Sequence, residues 1–147
     1  MIRRKGREIA LQILYQKELS NVSIEEAIDL YKKFLNINSP EALKFGEDLV
    51  RGITENLEFI DSIIRKYTPS WPLERINVTD RNILRIAVYE MFFRPDIPEI
   101  VSINEAIEIA KIYGTDDSPS FINGVLDSIY KKELKAHKNE KAQDNNH

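Results

Sequence analysis

The stretch VSINEAIEIAKIYGTDDSPSFINGVLDSIY, Val101 to Tyr130, decides the fold class of this 147-residue chain. It reads as two helices joined by a short polar turn. Ser102 followed three residues later by Glu105 has the form of a capping box, in which the two side chains satisfy free backbone N–H groups reciprocally. Ile103, Ala106, Ile107 and Ala110 recur at helical spacing and give the first helix one apolar face. Gly114 ends it, in the left-handed conformation that helix C-termini favour. Ser118 and Pro119 open the second helix as cap and first-turn residue. Ile122, Val125, Leu126 and Ile129 form its buried side. Asn123 and Gly124 fit this helix poorly, since a glycine in a helix interior costs about 1 kcal/mol relative to alanine. Such a pair points to close backbone approach or to an exposed polar group.

The same alternation of caps, apolar periods and breakers extends upstream. From about Thr79 to Phe93 the chain is apolar almost all round, through Ile83, Leu84, Ile86, Ala87, Val88, Met91 and Phe92, which marks a central helix. Arg81, Arg85 and Glu90 read as ion-pairing residues at its rim. Thr68-Pro69-Ser70-Trp71-Pro72 admits no helix, because residues before proline avoid the helical region. Trp71 reads as a core plug between an N-terminal half, 1–70, and a C-terminal half, 71–135. Ser39-Pro40 begins a run from Leu43 to Ile64 that is one long helix or two with a bend near Asn56. Gly46 and Gly52 within it suggest close helix contacts. Ser23 and Glu26 form another capping box, ahead of Ala27, Leu30, Tyr31, Phe34 and Leu35; Asn36 to Asn38 break that helix. The first helix buries Ile9, Ala10, Ile13 and Leu14, with Leu11, Tyr15 and Leu19 as a second stripe, and closes at Asn21 and Val22. Residues 136–147 read as a disordered charged tail. No strand-like alternation occurs. The fold class is all-α: a single domain, residues 1–135, of about seven helices in two packed bundles.

Composition narrows the function. The chain has no cysteine, two histidines and a net charge of −3. Both histidines, His137 and His147, lie in the tail, where nothing fixes an imidazole for catalysis or metal binding. There is no GxxxxGK[ST] loop and no GxGxxG after a strand. Glu105, Glu108, Asp116 and Asp117 read as helix-end carboxylates rather than an acid–base pair in a cleft. The reading is of a non-enzyme with no cofactor and no metal. No apolar run reaches membrane-spanning length, which places the protein in the cytoplasm.

A global charge of −3 leaves room for a local basic patch, because phosphate responds to charge within about 8–10 Å. Arg3, Arg4, Lys5 and Arg7 precede any acidic residue. Cations at a helix N-terminus oppose the helix dipole, so helix stability is not the reason for them; a solvated basic terminus and a phosphate-binding edge are the two readings the residues leave open. Single-stranded RNA recognition requires cations for phosphates and flat or hydrogen-bonding side chains for bases. Gln12 and Tyr15 follow on the same helix. Ser118, Phe121 and Asn123 stand at the start of the last helix, whose N-terminal amides also favour phosphate.

Three blocks resemble the NusB family of bacterial transcription antitermination factors: RRKGREIALQILYQ (Arg3 to Gln16), TDRNILRIAVYE (Thr79 to Glu90) and INEAIEIAKIYG…DSPSFINGVLDSIY. They occur in the family's order and span nearly all of the chain except the tail. The resemblance implies an all-helical protein of two packed bundles. It implies binding of the boxA element of nascent ribosomal RNA transcripts as a heterodimer with NusE, a small-subunit ribosomal protein. Other Nus factors and RNA polymerase are then indirect partners, and a homodimer is a possible free state. By motif match the RNA contacts are Arg4, Lys5, Arg7 and the adjacent Arg3, then Gln12, Tyr15, Asp117, Ser118, Phe121 and Asn123. Glu74 and Asp80 match acidic positions that suit a basic ribosomal protein. Gly6 departs from the family in its first turn, and Pro119-Ser120 stands where many relatives carry a basic residue. Similar domains also front certain ribosomal RNA cytosine methyltransferases, whose cofactor motif this chain lacks. A protein adaptor that never touches RNA, and a helix-turn-helix DNA binder, are further readings; the near absence of charge in the Ser118 helix disfavours the latter.

Overall fold

The computed structural model describes residues 1–34 and 38–135. Leu35, Asn36, Ile37 and the tail with both histidines lie outside them. Among the described residues there are seven α-helices and no strand: α1 (Ile2–Ser20), α2 (Ile24–Phe34), α3 (Pro40–Glu55), α4 (Leu57–Lys66), α5 (Val78–Phe93), α6 (Glu99–Tyr113) and α7 (Ser118–Ile129). A 3-10 turn, Leu73–Arg75, precedes α5, and a π-helical turn, Tyr130–Lys135, follows α7. The all-α expectation holds.

α5 is the axis of the molecule. It packs against α1, α3, α4, α6 and α7. Its apolar residues Ile83, Leu84, Ile86, Ala87, Val88 and Met91 are all buried. Asn77 caps it, the side chain accepting from the Asp80 N–H at 2.8 Å.

α1 lies across α3 in the most extensive helix pairing of the fold. Two glycines permit it. A Cβ on Gly6 would stand 2.5 Å from a Phe45 ring carbon, and one on Gly46 would stand 2.8 Å from the Gly6 carbonyl oxygen. Gly6 therefore serves close packing. The run after Ser39 is two helices, bent at Asn56, whose side chain donates to the Gly52 carbonyl at 2.8 Å. Ser39 caps α3 through the Ala42 N–H at 3.2 Å, with Pro40 as first-turn residue. Ser23 accepts from the Glu26 N–H at 3.1 Å and opens α2.

Several sequence expectations give way. α6 begins three residues before Ser102, directly after Pro98, so Ser102 and Glu105 lie inside the helix and form no cap. Gly114 has φ −92° and ψ −168°, which is not left-handed. Its lack of a side chain matters because a Cβ would lie 2.5 Å from Ser118 Oγ. Ser118 sits within α7, buried, and its Oγ accepts from the Thr115 N–H at 2.9 Å, so it ties the loop rather than capping the helix. Trp71 is 56% exposed at the tip of a turn closed by its N–H to the Thr68 carbonyl. Leu73 and Ile76 anchor that segment in the core instead.

Candidate nucleic-acid interface

The four cations of the first turn separate once α1 is folded. At 100° per residue, Arg3 and Arg7 fall on the side facing α3 and α5, while Arg4 and Lys5 fall toward the open side. Arg7 is 3% exposed. Its Nε and Nη2 donate to the two carboxylate oxygens of Glu90 at 2.8 and 2.7 Å, and Glu90 also accepts from Ser102 Oγ at 2.9 Å. This buried triad joins α1, α5 and α6. Arg3 donates to Asp96 at 3.1 Å. Arg3, Arg7 and Arg94 all stand over the Phe45 ring, 5.3 to 5.6 Å from its centroid.

Arg4 is half-buried. Its Nε and Nη2 donate to Glu105 at 2.6 and 3.2 Å. The hydrogen bonds and charge of Glu105, helped by Glu108 and Glu8, raise the guanidinium pKa. Lys5 is exposed and, among the described residues, makes no ion pair. The basic turn is thus largely a clamp between α1 and the α5–α6 region. Each arginine takes one carboxylate from that region, and Lys5 remains the free cation of the turn.

The open side of α1 carries the rest of the expected RNA set. Gln12 is exposed and Tyr15 is 39% exposed. Tyr113, at the end of α6, reaches this stripe; its hydroxyl lies beside Glu8 and Gln12, and its pKa is raised by burial and then by Glu8. Beyond Tyr15 the stripe enters a groove of about 720 Å³ between α1 and α2, with Tyr31 and Phe34 on its α2 wall. Tyr113, Tyr31 and Phe34 were not among the expected contacts. An aromatic residue in the last turn of each of α2 and α6 was the available signal.

At the start of α7, Asp117 and Asn123 are exposed, Phe121 is half-buried against the core, and Ser118 is buried. α6 links this group to α1: Glu105 holds Arg4, Tyr113 meets Gln12, and Gly114 leads into α7. The acidic pair expected on the protein-partner face divides. Glu74 is highly exposed, 3.7 Å from Arg65. Asp80 is 5% exposed; its Oδ2 accepts from Asn77 at 3.1 Å, and its Oδ1 is the one buried side-chain polar atom without a hydrogen bond among the described residues. Arg81 and Arg85 are not rim residues. Both pair with Glu18, Arg85 also holds Asp61 at 2.9 and 3.0 Å, and Arg81 donates to the Leu73 and Ile76 carbonyls. Among the described residues no group of three or more His, Cys, Asp or Glu could hold a metal ion.

Residues 4–131 match the model of the NusB family. The transcription antitermination protein NusB of Citrifermentans bemidjiense is 45% identical over 135 residues, covering 86% of this chain and 92% of the relative. That of Bdellovibrio bacteriovorus is 47% identical over 131 residues, covering 88% and 95%. Among solved structures, T. maritima NusB superposes with a TM-score of 0.81 at 41% identity, covering 94% of this chain and 96% of that one. A crystal structure of the antitermination factors NusB and NusE in complex with dsRNA gives a TM-score of 0.80 at 28% identity, covering 88% and 96%.

Proposed function

The chain belongs to the NusB family, and from that premise we propose that it binds boxA single-stranded RNA of nascent ribosomal transcripts together with NusE. Antitermination follows when that pair joins other Nus factors on RNA polymerase in the cytoplasm. The observation that carries the RNA reading is the open side of α1. There Lys5, Gln12 and Tyr15, a cation, an amide and an aromatic ring, are all exposed, on a helix that buries Arg7, Ile9, Ala10, Ile13 and Leu14 elsewhere. Those three groups suit phosphate, base edge and base face in turn. Arg4 adds a second phosphate donor at the edge of the stripe, since two of the five guanidinium N–H groups are engaged by Glu105. Asp117, Phe121 and Asn123 extend the surface from α7. Arg3 is a peripheral contributor. Arg7 and Ser118 act from within, by holding α1 and the α6–α7 loop in place.

Glu74 and Asp80 are the partner-facing residues of this reading. A basic ribosomal protein complements the exposed Glu74, and the buried Asp80 shapes that face from within through its contacts with Asn77. A homodimer of the free protein that uses the same surfaces would compete with both ligands, and its signature is a concentration-dependent RNA affinity.

The test is fluorescence anisotropy with a boxA RNA and a scrambled control, with and without NusE, at two salt concentrations. Selective binding that tightens with NusE and is lost in an Arg4→Ala/Lys5→Ala variant supports the reading. Equal, salt-sensitive binding to both RNAs, unchanged by NusE, refutes it and favours a protein adaptor.

A further inference from the structure

The groove between α1 and α2 is floored by the core residues Leu11, Ile13 and Ala27 and walled by part-exposed aromatic residues. Its aromatic walls are Tyr15 and Tyr113 on one side and Tyr31 and Phe34 on the other, with Gln12 and Gln16 at its polar edge. None of its lining residues is charged. Phe34 is 70% exposed, and Tyr15 and Tyr113 are each 39% exposed. The Lys33 ammonium stands over the Phe34 ring, 5.3 Å from its centroid, so a base stacking on this ring would use the face turned away from Lys33.

Resting on the RNA-binding reading above, we propose that this groove receives unstacked nucleobases of the strand whose phosphates lie on Arg4 and Lys5, with Tyr31 and Phe34 of α2 as its far wall. Continuity is the first argument. Gln12 and Tyr15 belong both to the exposed stripe of α1 and to the groove lining. Distance is the second. Lys5 to Tyr15 is about 15 Å along a helix, a span of a few nucleotides. Chemistry is the third. A cleft lined by aromatic and amide side chains accepts the π-face that every base possesses, while the two glutamine amides can donate to and accept from base edges. The size of the groove leaves room for more than one ring.

Phe34→Ala is the informative variant, because a side chain 70% exposed can be removed without opening the core. It is measured against wild type by anisotropy on a boxA RNA in the presence of NusE, and on a set of the same RNA with single abasic sites. Affinity should fall about 5- to 150-fold, the range that loss of one base–aromatic stack implies. The slope of affinity against salt should stay unchanged. At one or two abasic positions, wild type and variant should bind alike. Unchanged Phe34→Ala affinity, with no abasic position that couples to it, beside a weakened Lys5→Ala variant overturns this proposal alone. A Phe34→Ala effect confined to NusE affinity or to self-association also overturns it and gives the groove to a protein. Wild-type binding that does not distinguish boxA from scrambled RNA overturns both this proposal and the reading it rests on.

Discussion

Lys5 and Arg7 are two residues apart and have opposite roles. Arg7 is buried in a two-pronged pair with Glu90, which also takes the Ser102 hydroxyl. Truncating one partner of a buried pair leaves an uncompensated charge, at a cost of about 3–5 kcal/mol. Arg7→Ala should therefore lose stability on that scale in urea unfolding; a loss below about 1 kcal/mol would mean the pair does not hold α1. Lys5 has no such partner. Lys5→Ala should change stability by no more than about 0.5 kcal/mol. It should weaken RNA binding and make the log–log salt slope shallower by about 0.7, the share of one phosphate on a single strand. The sequence presented these cations as one basic block. Nothing local separates them, because the carboxylates that claim Arg3, Arg4 and Arg7 stand 93, 101 and 83 residues away.

Helices were legible where their signals are local. Ser23 and Ser39 cap with N–H groups three residues on, as their sequence context predicts. Ser102, Glu105 and Ser118 bear the same residue types but have other partners: Glu90, Arg4 and the Thr115 N–H. Pro98 starts α6 early and carries Ser102 into the interior. The size of Trp71 argues for burial, but its place in a turn puts it outside. Glycines make the same contrast testable. Gly46→Ala should destabilise by about 1–3 kcal/mol, because the new methyl meets the Gly6 carbonyl oxygen at 2.8 Å and Ile9 at 3.0 Å. Gly124→Ala should instead stabilise by about 1 kcal/mol, because a Cβ there has nothing within 4 Å. Urea midpoints of the two variants should move in opposite directions. A destabilised Gly124→Ala would mean that the helix at this point needs glycine for a reason other than space.

Across the whole molecule, ion pairs tie α1 to the elements around α5 at both ends. Arg3, Arg4 and Arg7 reach Asp96, Glu105 and Glu90 near its start; Glu18 receives Arg81 and Arg85 near its end. This arrangement has a pH signature. Burial alone would raise the Glu18 pKa, but hydrogen bonds and charge from Arg81 and Arg85 outweigh it, and the carboxyl ionises below its ordinary 4.5. Asp96, bonded by Arg94, is brought down to about 2. A carboxylate whose pKa is depressed by folding stabilises the folded state at neutral pH. That contribution is present above the unfolded pKa and is lost as pH falls through the folded one. Unfolding temperature should therefore be level from pH 7 to about 5 and drop below the ordinary carboxylate range. Glu18→Gln should start lower at pH 7, because it leaves Arg81 without its carboxylate, and then decline less steeply below pH 4.5. The difference between wild type and variant should narrow as pH falls below the ordinary carboxylate range and through the lowered pKa of folded Glu18. A difference that stays constant down to the pH of acid unfolding would show that the α1–α5 junction depends on the shape of the Glu18 side chain and not on its charge.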